Sequence, residues 1–264
     1  NNVGAEATKD LTLHGKIGNI PASEVVVVVD KKAPHRIRIR GRVNEVSFYG
    51  PNLSIWTEIS TVPGSNEFRI SDELTNNGTF NEEFQIIYHA NFGRSLLGKG
   101  ARMLTASTKI VPFNDNAAKA IDKQEVYPAP TKGFTEEVYK IYPKADKVGN
   151  ATAVLVNPKG DRGVTMSWPV KQLPFLTQWK NTAAETTGYV TGIEPGTGFP
   201  HNRNYERKFG RVPKLAPGKT RSFDLGFRIL GSKSEVESAV GDVKKLQGTT
   251  GPEIQKEPEA LPEE

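Results

Sequence analysis

Residues 25 to 40 read VVVVVDKKAPHRIRIR, and two patterns within this stretch decide the class of fold. The run of five valines is typical of a β-strand, because β-branched residues pack well on a pleated surface, and we expect this strand to be buried. From Arg36 to Arg40 basic and apolar residues alternate, which places the arginines on one face of a strand and Ile37 and Ile39 on the other. The stretch therefore predicts two strands, one of them with a solvated basic face.

The same kind of segment recurs along most of the chain. Turn signals such as Asn76-Asn-Gly78 and Asn157-Pro-Lys-Gly160 separate the segments, and no helices alternate with them. This pattern predicts an all-β protein with an antiparallel sandwich or barrel, and it excludes a parallel sheet built from βαβ units. Beyond the opening stretch, the predicted strands cover residues 45–50, 53–60, 66–76, 82–92, 152–157, 164–170, 188–194 and 222–230.

Three segments follow from this distribution. Residues 1–232 are expected to form one β-sandwich domain, since no internal repeat or change of composition divides them. Residues 233–250 are expected to form a short helical segment, with valines at helical spacing from Val236 to Val243. Residues 251–264 are rich in proline and glutamate and nearly without apolar side chains, which predicts a flexible tail.

Composition narrows the classes of function. The chain has 264 residues, a formal net charge of +5 and no cysteine, which excludes disulfides, thiolate nucleophiles and cysteine zinc sites. Its basic residues are scattered and lack accompanying aromatic platforms, so we expect no nucleic-acid partner. No apolar run approaches the ~18 residues of a membrane span, so no membrane partner is expected. The chain begins Asn-Asn, which suggests a trimmed or truncated product; the compartment (cytoplasmic or exported) and the oligomeric state stay open.

Two strand ends carry side chains suited to acid–base chemistry. His89 lies in the segment YHANFG at 88–93, and Glu194 lies in GIEPGTG at 192–198. Strand ends that lead into loops are where scaffolds present reactive groups. No HExxH, GxSxG or phosphate-loop motif occurs, so we expect neither a metal nor a cofactor. A carboxylate and histidines indicate general acid–base work, although each residue taken alone also fits a structural role.

Three segments in order resemble the aldose 1-epimerase (galactose mutarotase) superfamily. Leu13-His14-Gly15 is similar to a substrate-binding Leu-His-Gly segment, Tyr88-His-Ala-Asn-Phe-Gly93 to the segment with the general acid, and Ile193-Glu-Pro195 to the one with the catalytic base. Leu215-Ala-Pro-Gly218 resembles the closing turn. The segments 13–22, 136–139 and 173–180 resemble an uncharacterised bacterial mutarotase-like subgroup more closely still.

The resemblance implies an antiparallel β-supersandwich and a monosaccharide or sugar derivative as substrate. Glu194 would remove the proton of the C1 hydroxyl while His89 protonates the ring oxygen, and the open aldehyde would rotate and reclose as the other anomer. Asn91 would help to keep His89 protonated. The resemblance also implies the remaining substrate contacts. These are His14 and Lys16 on sugar hydroxyls, Asn91 beside His89, Trp179 stacked on the sugar ring, and Lys180, Arg203 and Arg207 as further ligands.

The sequence departs from the superfamily in two ways. Few residues precede Leu13, where the superfamily has strands that supply a substrate arginine, so the fold is expected to lack part of the N-terminal strands. The substrate-gripping aspartate has no convincing counterpart, Asp161 being a poor candidate. Two alternatives therefore remain. One is a non-catalytic carbohydrate-binding protein. The other is a different sugar or phosphosugar epimerase or isomerase, in which Lys16, Lys180, Arg203 and Arg207 would clamp a phosphate.

Overall fold

The structure, a computed structural model, describes residues 4–6, 9–12 and 14–260, with side chains from residue 11 onward. The chain divides into two compact units, each assembled from two separate segments. The first unit contains Asn1–Ile86 and Pro200–Gly226, and the second contains Ile87–Phe199 and Phe227–Glu264.

Strands dominate the described residues, which confirms the all-β class. They are β1 (Gly4–Glu6), β2 (Lys9–Leu11), β3 (Glu24–Val29), β4 (Ile37–Val46), β5 (Asn52–Thr61), β6 (Glu67–Asn76), β7 (Glu82–Glu83), β8 (Ala90–Phe92), β9 (Arg102–Thr105), β10 (Ser107–Pro112), β11 (Glu137–Pro143), β12 (Asn150–Val156), β13 (Gly163–Pro169), β14 (Phe175–Thr182), β15 (Tyr189–Gly196), β16 (Lys214–Leu215), β17 (Thr220–Leu230) and β18 (Glu253–Ile254).

Helices are few and mostly short in the part of the chain that the structure describes. The α-helices are α1 (Asp115–Ala118), α2 (Arg203–Lys208) and α3 (Lys233–Gln247), and 3₁₀ turns cover Ile17–Asn19, Ile121–Lys123 and Glu185–Thr187. The longest helix, α3, packs Val236 and Val243 onto Leu104 and Val154 of the second unit, as the valine spacing predicts. The side chain of Ser232 caps the N-terminus of α3 by accepting a hydrogen bond from the backbone of Glu235.

In the first unit, β3 to β6 form an antiparallel meander in chain order. Directly opposed residues share a face, so the predicted alternation of β4 can be followed across the sheet. Arg40 lies opposite Glu58 and forms an ion pair with it, while Ile39 lies opposite Val27 and Ile59 on the other face. The basic face expected for this strand is therefore neutralised by acidic residues of its neighbours.

The prediction that residues 25–29 form a buried strand is wrong on burial, although the strand itself is present. β3 lies at the edge of the meander, and Val25 and Val27 each remain 64% exposed. The five-valine run identifies a strand but does not fix its position in the sheet, because β-branched residues favour edge and central strands alike.

In the second unit, a six-stranded sheet has the order β18-β10-β11-β14-β15-β8, and β9, β12 and β13 form neighbouring strands of another sheet. Side chains that are at most 1% exposed, among them Tyr139, Ile141, Leu155 and Leu176, form the core of this unit. The candidate chemistry lies on the six-stranded sheet, at β8, β14 and β15.

Several predicted strand boundaries differ from those observed. The segment 82–92 is not one strand, because it divides into β7 and β8, with Phe84 buried between them. Residues 45–46 complete β4, and residues 47–50 form a turn closed by a hydrogen bond from Gly50 N to Ser47 O. Four strands, β9, β10, β11 and β14, were not predicted, because their mixed polar and apolar sequences do not alternate cleanly.

The flexible tail expected at 251–264 also differs from the structure over its described part, residues 251–260. β18 pairs in parallel with β10, and Gln255 N donates a hydrogen bond to Ile110 O. Composition predicts flexibility because the segment has little apolar surface to bury. In the folded chain, however, it satisfies backbone groups at the edge of the six-stranded sheet, and its Glu259 pairs with a buried lysine.

Candidate active site

The two candidate acid–base residues are brought together by strand pairing. β15 pairs with β8 so that Gly192 lies opposite Asn91 and Ile193 lies opposite Ala90, which brings His89 opposite Glu194. A hydrogen bond from Tyr88 N to Pro195 O, 2.9 Å long, extends the pairing just before His89. The segment YHANFG therefore contains the short edge strand β8, and His89, directly before this strand, lies beside the carboxylate.

His89 and Glu194 are in direct contact. Nε2 of His89 lies 3.1 Å from Oε1 of Glu194, and their side chains are 32% and 4% exposed. Among the described residues, Oε1 has no partner with good hydrogen-bond geometry, so this contact is better described as electrostatic. Burial raises the pKa of Glu194 to about 8, because a carboxylate loses solvation there, and the charge of Glu136 acts in the same direction.

Trp179 completes the surroundings of His89. Trp179 is on β14, opposite Gly192 of β15. Its ring contacts the imidazole of His89 edge to face, with ring centroids 5.6 Å apart. Its Nε1 donates a 2.7 Å hydrogen bond to Oε2 of Glu136. This bond fixes the orientation of the indole, so that an aromatic surface borders the acid–base pair.

A polar row runs across the sheet from Glu194. Thr177 lies opposite Glu194, and Lys140 lies opposite Thr177, so the three side chains share one face of the sheet. The Oγ1 atom of Thr177 is buried and has no hydrogen-bond partner among the described residues. A buried polar atom without a partner is costly, so this hydroxyl has spare capacity for a ligand or a water molecule.

Lys180 lies on the opposite face of the sheet from Trp179, since neighbours in a strand point in opposite directions. Its side chain is buried, and its Nζ donates hydrogen bonds to the carbonyls of Lys123 and Val126 at 3.1 and 3.0 Å. Burial lowers the pKa of Lys180 to about 8, and nearby Glu137 partly opposes this shift. The ammonium group therefore binds buried carbonyl groups within the unit and does not face the His89–Glu194 pair.

The other predicted substrate residues lie in the first unit. His14, Lys16, Arg203 and Arg207 line a cavity of about 640 Å³ that lies wholly within this unit. The guanidinium group of Arg207 pairs with Glu83, which lowers the pKa of that carboxyl, and Arg203 donates a 3.1 Å hydrogen bond to Gln85. Leu13, part of the histidine motif, lies outside the described residues.

His14 has a positive backbone φ of 62°, which is uncommon for a residue other than glycine. It sits in a turn closed by a hydrogen bond from Gly15 N to Thr12 O. Its exposed side chain and that of Lys16 border the cavity of the first unit. Asn91 is exposed on β8 in the second unit.

Sequence reasoning identified the pair His89 and Glu194 but missed several neighbours. Gly192 leaves the space that the Glu194 carboxylate fills, and its spacing of two residues from Glu194 was the available signal. Thr177 lies two residues before Trp179 on β14, so these two side chains also share one face of a strand. Lys140 carried no sequence signal, because β11 was not predicted, and Glu136 appeared only as the first residue of the segment 136–139.

Two negative observations apply to the described part of the chain. No group of three or more histidine, aspartate or glutamate side chains gathers in a way that could hold a metal ion. Within the same residues, none of the helices has the length and apolar character required to cross a bilayer.

Comparison with known proteins gives a family and a fold. A family model described as "Domain of unknown function (DUF4432)" matches residues 1–229. The crystal structure of a "putative aldose 1-epimerase" from Klebsiella pneumoniae subsp. pneumoniae MGH 78578 is 42% identical in sequence and matches with a TM-score of 0.96. The match covers 98% of this chain and 67% of the Klebsiella chain. No curated protein matches.

More distant structures share the fold. A "putative aldose 1-epimerase" from Escherichia coli K12 matches with a TM-score of 0.56 at 12% identity, covering 87% of this chain and 79% of that one. A galactose mutarotase-like protein from Clostridium acetobutylicum matches with a TM-score of 0.57 at 14% identity, covering 86% of this chain and 75% of that one. At these identities the likeness establishes the galactose mutarotase-like β-sandwich and no more.

Proposed function

Since this chain belongs to the family described as Domain of unknown function (DUF4432) and has the galactose mutarotase-like fold, we propose that it is a sugar 1-epimerase. The observation that carries the proposal is the contact between His89 and Glu194 on one face of the six-stranded sheet. A group that can accept a proton and a group that can donate one meet there, beside an aromatic ring.

In the proposed reaction, Glu194 accepts the proton of the C1 hydroxyl and His89 donates a proton to the ring oxygen. The C1–O5 bond breaks as the C1–O1 bond gains carbonyl character, which gives the open-chain aldehyde. Rotation about C1–C2 presents the other face of the carbonyl, and the ring closes with the two proton transfers reversed. Charge and atoms balance without a cofactor, and each well-placed group contributes about 10²–10⁴-fold to the rate.

We infer that the two groups separate when a sugar binds. O1 and O5 are both bonded to C1, and each is bound by its own acid or base at about 2.6–3.2 Å, whereas in the structure the imidazole and the carboxylate face each other at 3.1 Å. His89 is one third exposed on an edge strand, whereas Glu194 is almost fully buried. We therefore assign the movement to His89, with Glu194 fixed, and treat the observed pair as the resting state.

The high pKa of Glu194 suits this cycle. A carboxyl with a pKa of about 8 is a stronger base than an ordinary carboxylate, so it accepts the hydroxyl proton more readily. Trp179 offers its ring to the apolar face of the pyranose, a common way to recognise sugars that adds little conformational cost.

The short His89–Glu194 distance also favours a second candidate, a carbohydrate-binding protein that performs no catalysis. In that case the contact between His89 and Glu194 would be permanent, and the sugar would bind against Trp179 without reaching either group. The two candidates differ in whether anomers exchange, so a single kind of measurement separates them.

The test is anomeric exchange measured by magnetisation-transfer NMR on a panel of aldoses, uronic acids and sugar phosphates. We expect the native protein to accelerate exchange for at least one sugar, and Glu194→Gln and His89→Asn to reduce the rate by about 10²-fold or more. The matched control is Glu185→Gln, which changes an exposed glutamate of the same unit that pairs with Arg94. Sugar-dependent shift changes without any exchange would establish the binding protein instead.

A further inference from the structure

A second polar site lies on the same sheet face, where Lys140 holds a carboxylate. The Lys140 side chain is 0% exposed, and its Nζ lies 2.8 Å from Oε2 of Glu259. The hydroxyl of Tyr142 donates a 3.2 Å hydrogen bond to the other carboxylate oxygen, Oε1. The ring of Phe199 lies 5.8 Å from Nζ. One cation and one hydroxyl thus bind both oxygens of one carboxylate.

This site is aligned with the candidate acid–base pair. Lys140 and Glu194 flank Thr177 on adjacent strands and share its face, so their Cα atoms are about 10 Å apart at the normal strand spacing. A pyranose ring with one exocyclic anionic group can bridge such a distance. The buried Thr177 hydroxyl between them has no partner among the described residues and is placed to bind a polar group of the same molecule.

The carboxylate in this site comes from a weakly held segment. Residues 251–260 contact the sheet through the two-residue strand β18, and through one further backbone bond from Gln255 N to Ile110 O. Two of the segment's ion pairs, Glu253 with Lys109 and Lys256 with Asp122, are largely exposed and contribute little to stability. The segment can therefore leave at modest cost, provided that Lys140 does not lose its negative partner.

We propose that Lys140 and Tyr142 form an anion subsite, which takes the carboxylate or phosphate group of an aldose derivative and which Glu259 occupies in the absence of that ligand. The proposal rests on the proposed function, because it places the anomeric carbon of the same ligand between His89 and Glu194. Glu259 acts as an internal substitute for the ligand's anionic group, and binding exchanges one carboxylate for another anion.

Replacement of the Glu259 carboxylate by the ligand's anionic group accounts for selectivity between charged and neutral sugars. Removing one partner from a buried ion pair is strongly unfavourable, since the remaining charge stays buried without compensation. A neutral sugar offers no replacement for Glu259, so the C-terminal segment stays in place when it binds. An anionic sugar replaces the charge, so it releases the segment.

The experiment is hydrogen–deuterium exchange of residues 251–260 in the native protein, with glucose, glucose 6-phosphate and glucuronate as the three probes. We expect either or both of the anionic sugars to speed exchange at Gln255, whose amide is hydrogen-bonded to Ile110 O, whereas glucose leaves the rate unchanged. Faster exchange with the phosphate alone or with the uronate alone identifies the anionic group that the subsite prefers. Unchanged rates with both saturating anionic sugars would overturn the proposal.

Calorimetry on two variants gives an independent test. Glu259→Gln removes a tethered competitor, so we expect it to tighten binding of the preferred anionic sugar roughly tenfold and to leave glucose binding unchanged. Glu253→Gln, which alters the exposed pair with Lys109 in the same segment, is the matched control and should change neither affinity. Equal affinities for the two variants would show that the Lys140–Glu259 pair is only structural.

Failure of this proposal is distinguishable from failure of the proposed function. The native protein could accelerate anomeric exchange of neutral and anionic sugars equally while hydrogen–deuterium exchange of residues 251–260 stays unchanged. This result would support the epimerase and contradict the anion subsite. If an anionic sugar releases residues 251–260 but the protein accelerates anomeric exchange of no sugar, the result would support the anion subsite and contradict the epimerase. Binding to Glu194→Gln can be measured in either case, because that variant keeps the whole Lys140 site.

Discussion

A β-carbon added at Gly192 would lie 2.1 Å from Oε1 of Glu194 and 3.0 Å from its Cδ. The two residues stand two apart on β15, so both point to the same face, and the Glu194 side chain folds back over the glycine. Gly192 also lies opposite Trp179 on one side and Asn91 on the other. The absence of a side chain at this position therefore sets where the carboxylate lies.

We expect Gly192→Ala to displace the Glu194 carboxylate and to lower kcat by about 10²-fold, the cost of a misplacement of ~1 Å in a catalytic group. Anomeric exchange by NMR measures the loss, and circular dichroism shows whether the fold is kept. Gly93→Ala is the matched control, since an added β-carbon there would come no closer than 3.8 Å to Tyr189 O. Full activity in Gly192→Ala would mean that Glu194 need not occupy its observed position.

The rate of the proposed reaction should depend on pH in two opposite ways. Ionised Glu194 is the base, and its pKa is raised to about 8 by burial, so its ionised fraction grows from pH 6 to beyond pH 8. His89 must carry the proton that it donates, so kcat/KM, corrected for spontaneous mutarotation at each pH, should rise, pass through a maximum and fall once the imidazole has lost its proton. A profile without a rising limb would assign the base to another group.

The stability of the native protein should fall over a defined range of pH. The pKa of Glu194 is about 8 in the folded state and near its ordinary value of 4.5 in the unfolded chain, so the folded state binds this proton more tightly. The resulting stabilisation is complete below pH 4.5 and is lost as the pH rises through 8. Relative to the native protein, Glu194→Gln should therefore become more stable as the pH increases.

Urea unfolding at pH 5, 6.5, 8 and 9 measures this difference between the native protein and Glu194→Gln. Glu185→Gln serves as the control, because the exposed Glu185 side chain pairs only at the surface with Arg94. A constant difference in unfolding free energy between native protein and Glu194→Gln across this range would show that the pKa of Glu194 is not raised.

Trp179 should matter for binding more than for the chemical step. The substitution Trp179→Ala removes the ring that borders His89 and should raise KM about 2- to 10-fold, the range expected from one aromatic contact, with a smaller change in kcat. Trp179→Phe keeps a ring but loses the hydrogen bond to Glu136, and should lie between the native protein and the alanine variant. A larger loss in kcat than in KM would show that the ring positions His89.

Lys180 should be important for stability and unimportant for the sugar. In Lys180→Met the carbonyls of Lys123 and Val126 lose their donor, which we expect to cost about 1–3 kcal/mol of unfolding free energy. KM for any sugar substrate should remain unchanged. The exposed Lys171→Met is the control for removing a positive charge. A raised KM in Lys180→Met with normal stability would restore Lys180 as a substrate contact.

Much of the architecture follows from local patterns in the sequence. The alternation in β4 and the turn at residues 76–78 predicted strands that the structure contains, because side-chain periodicity reflects which face of a strand is buried. His89 and Glu194 were found from the segments YHANFG and GIEPGTG, although Glu194 lies within β15 and His89 lies directly before β8. The same periodicity also separates Trp179 from Lys180, since the side chains of adjacent residues in one strand point to opposite faces of the sheet.

The tertiary structure alone decided which strands are neighbours and in which register they pair. The contact between His89 and Glu194 depends on the pairing of β8 with β15, and the contact between Lys140 and Glu259 joins residues 119 positions apart. The order of the strands places residues 25–29 at an exposed edge, and the pairing of β18 with β10 places the charged segment 251–260 against a sheet. Local sequence fixes which side chains share a face of one strand, whereas the partners across the sheet depend on long-range pairing energies that no short segment contains.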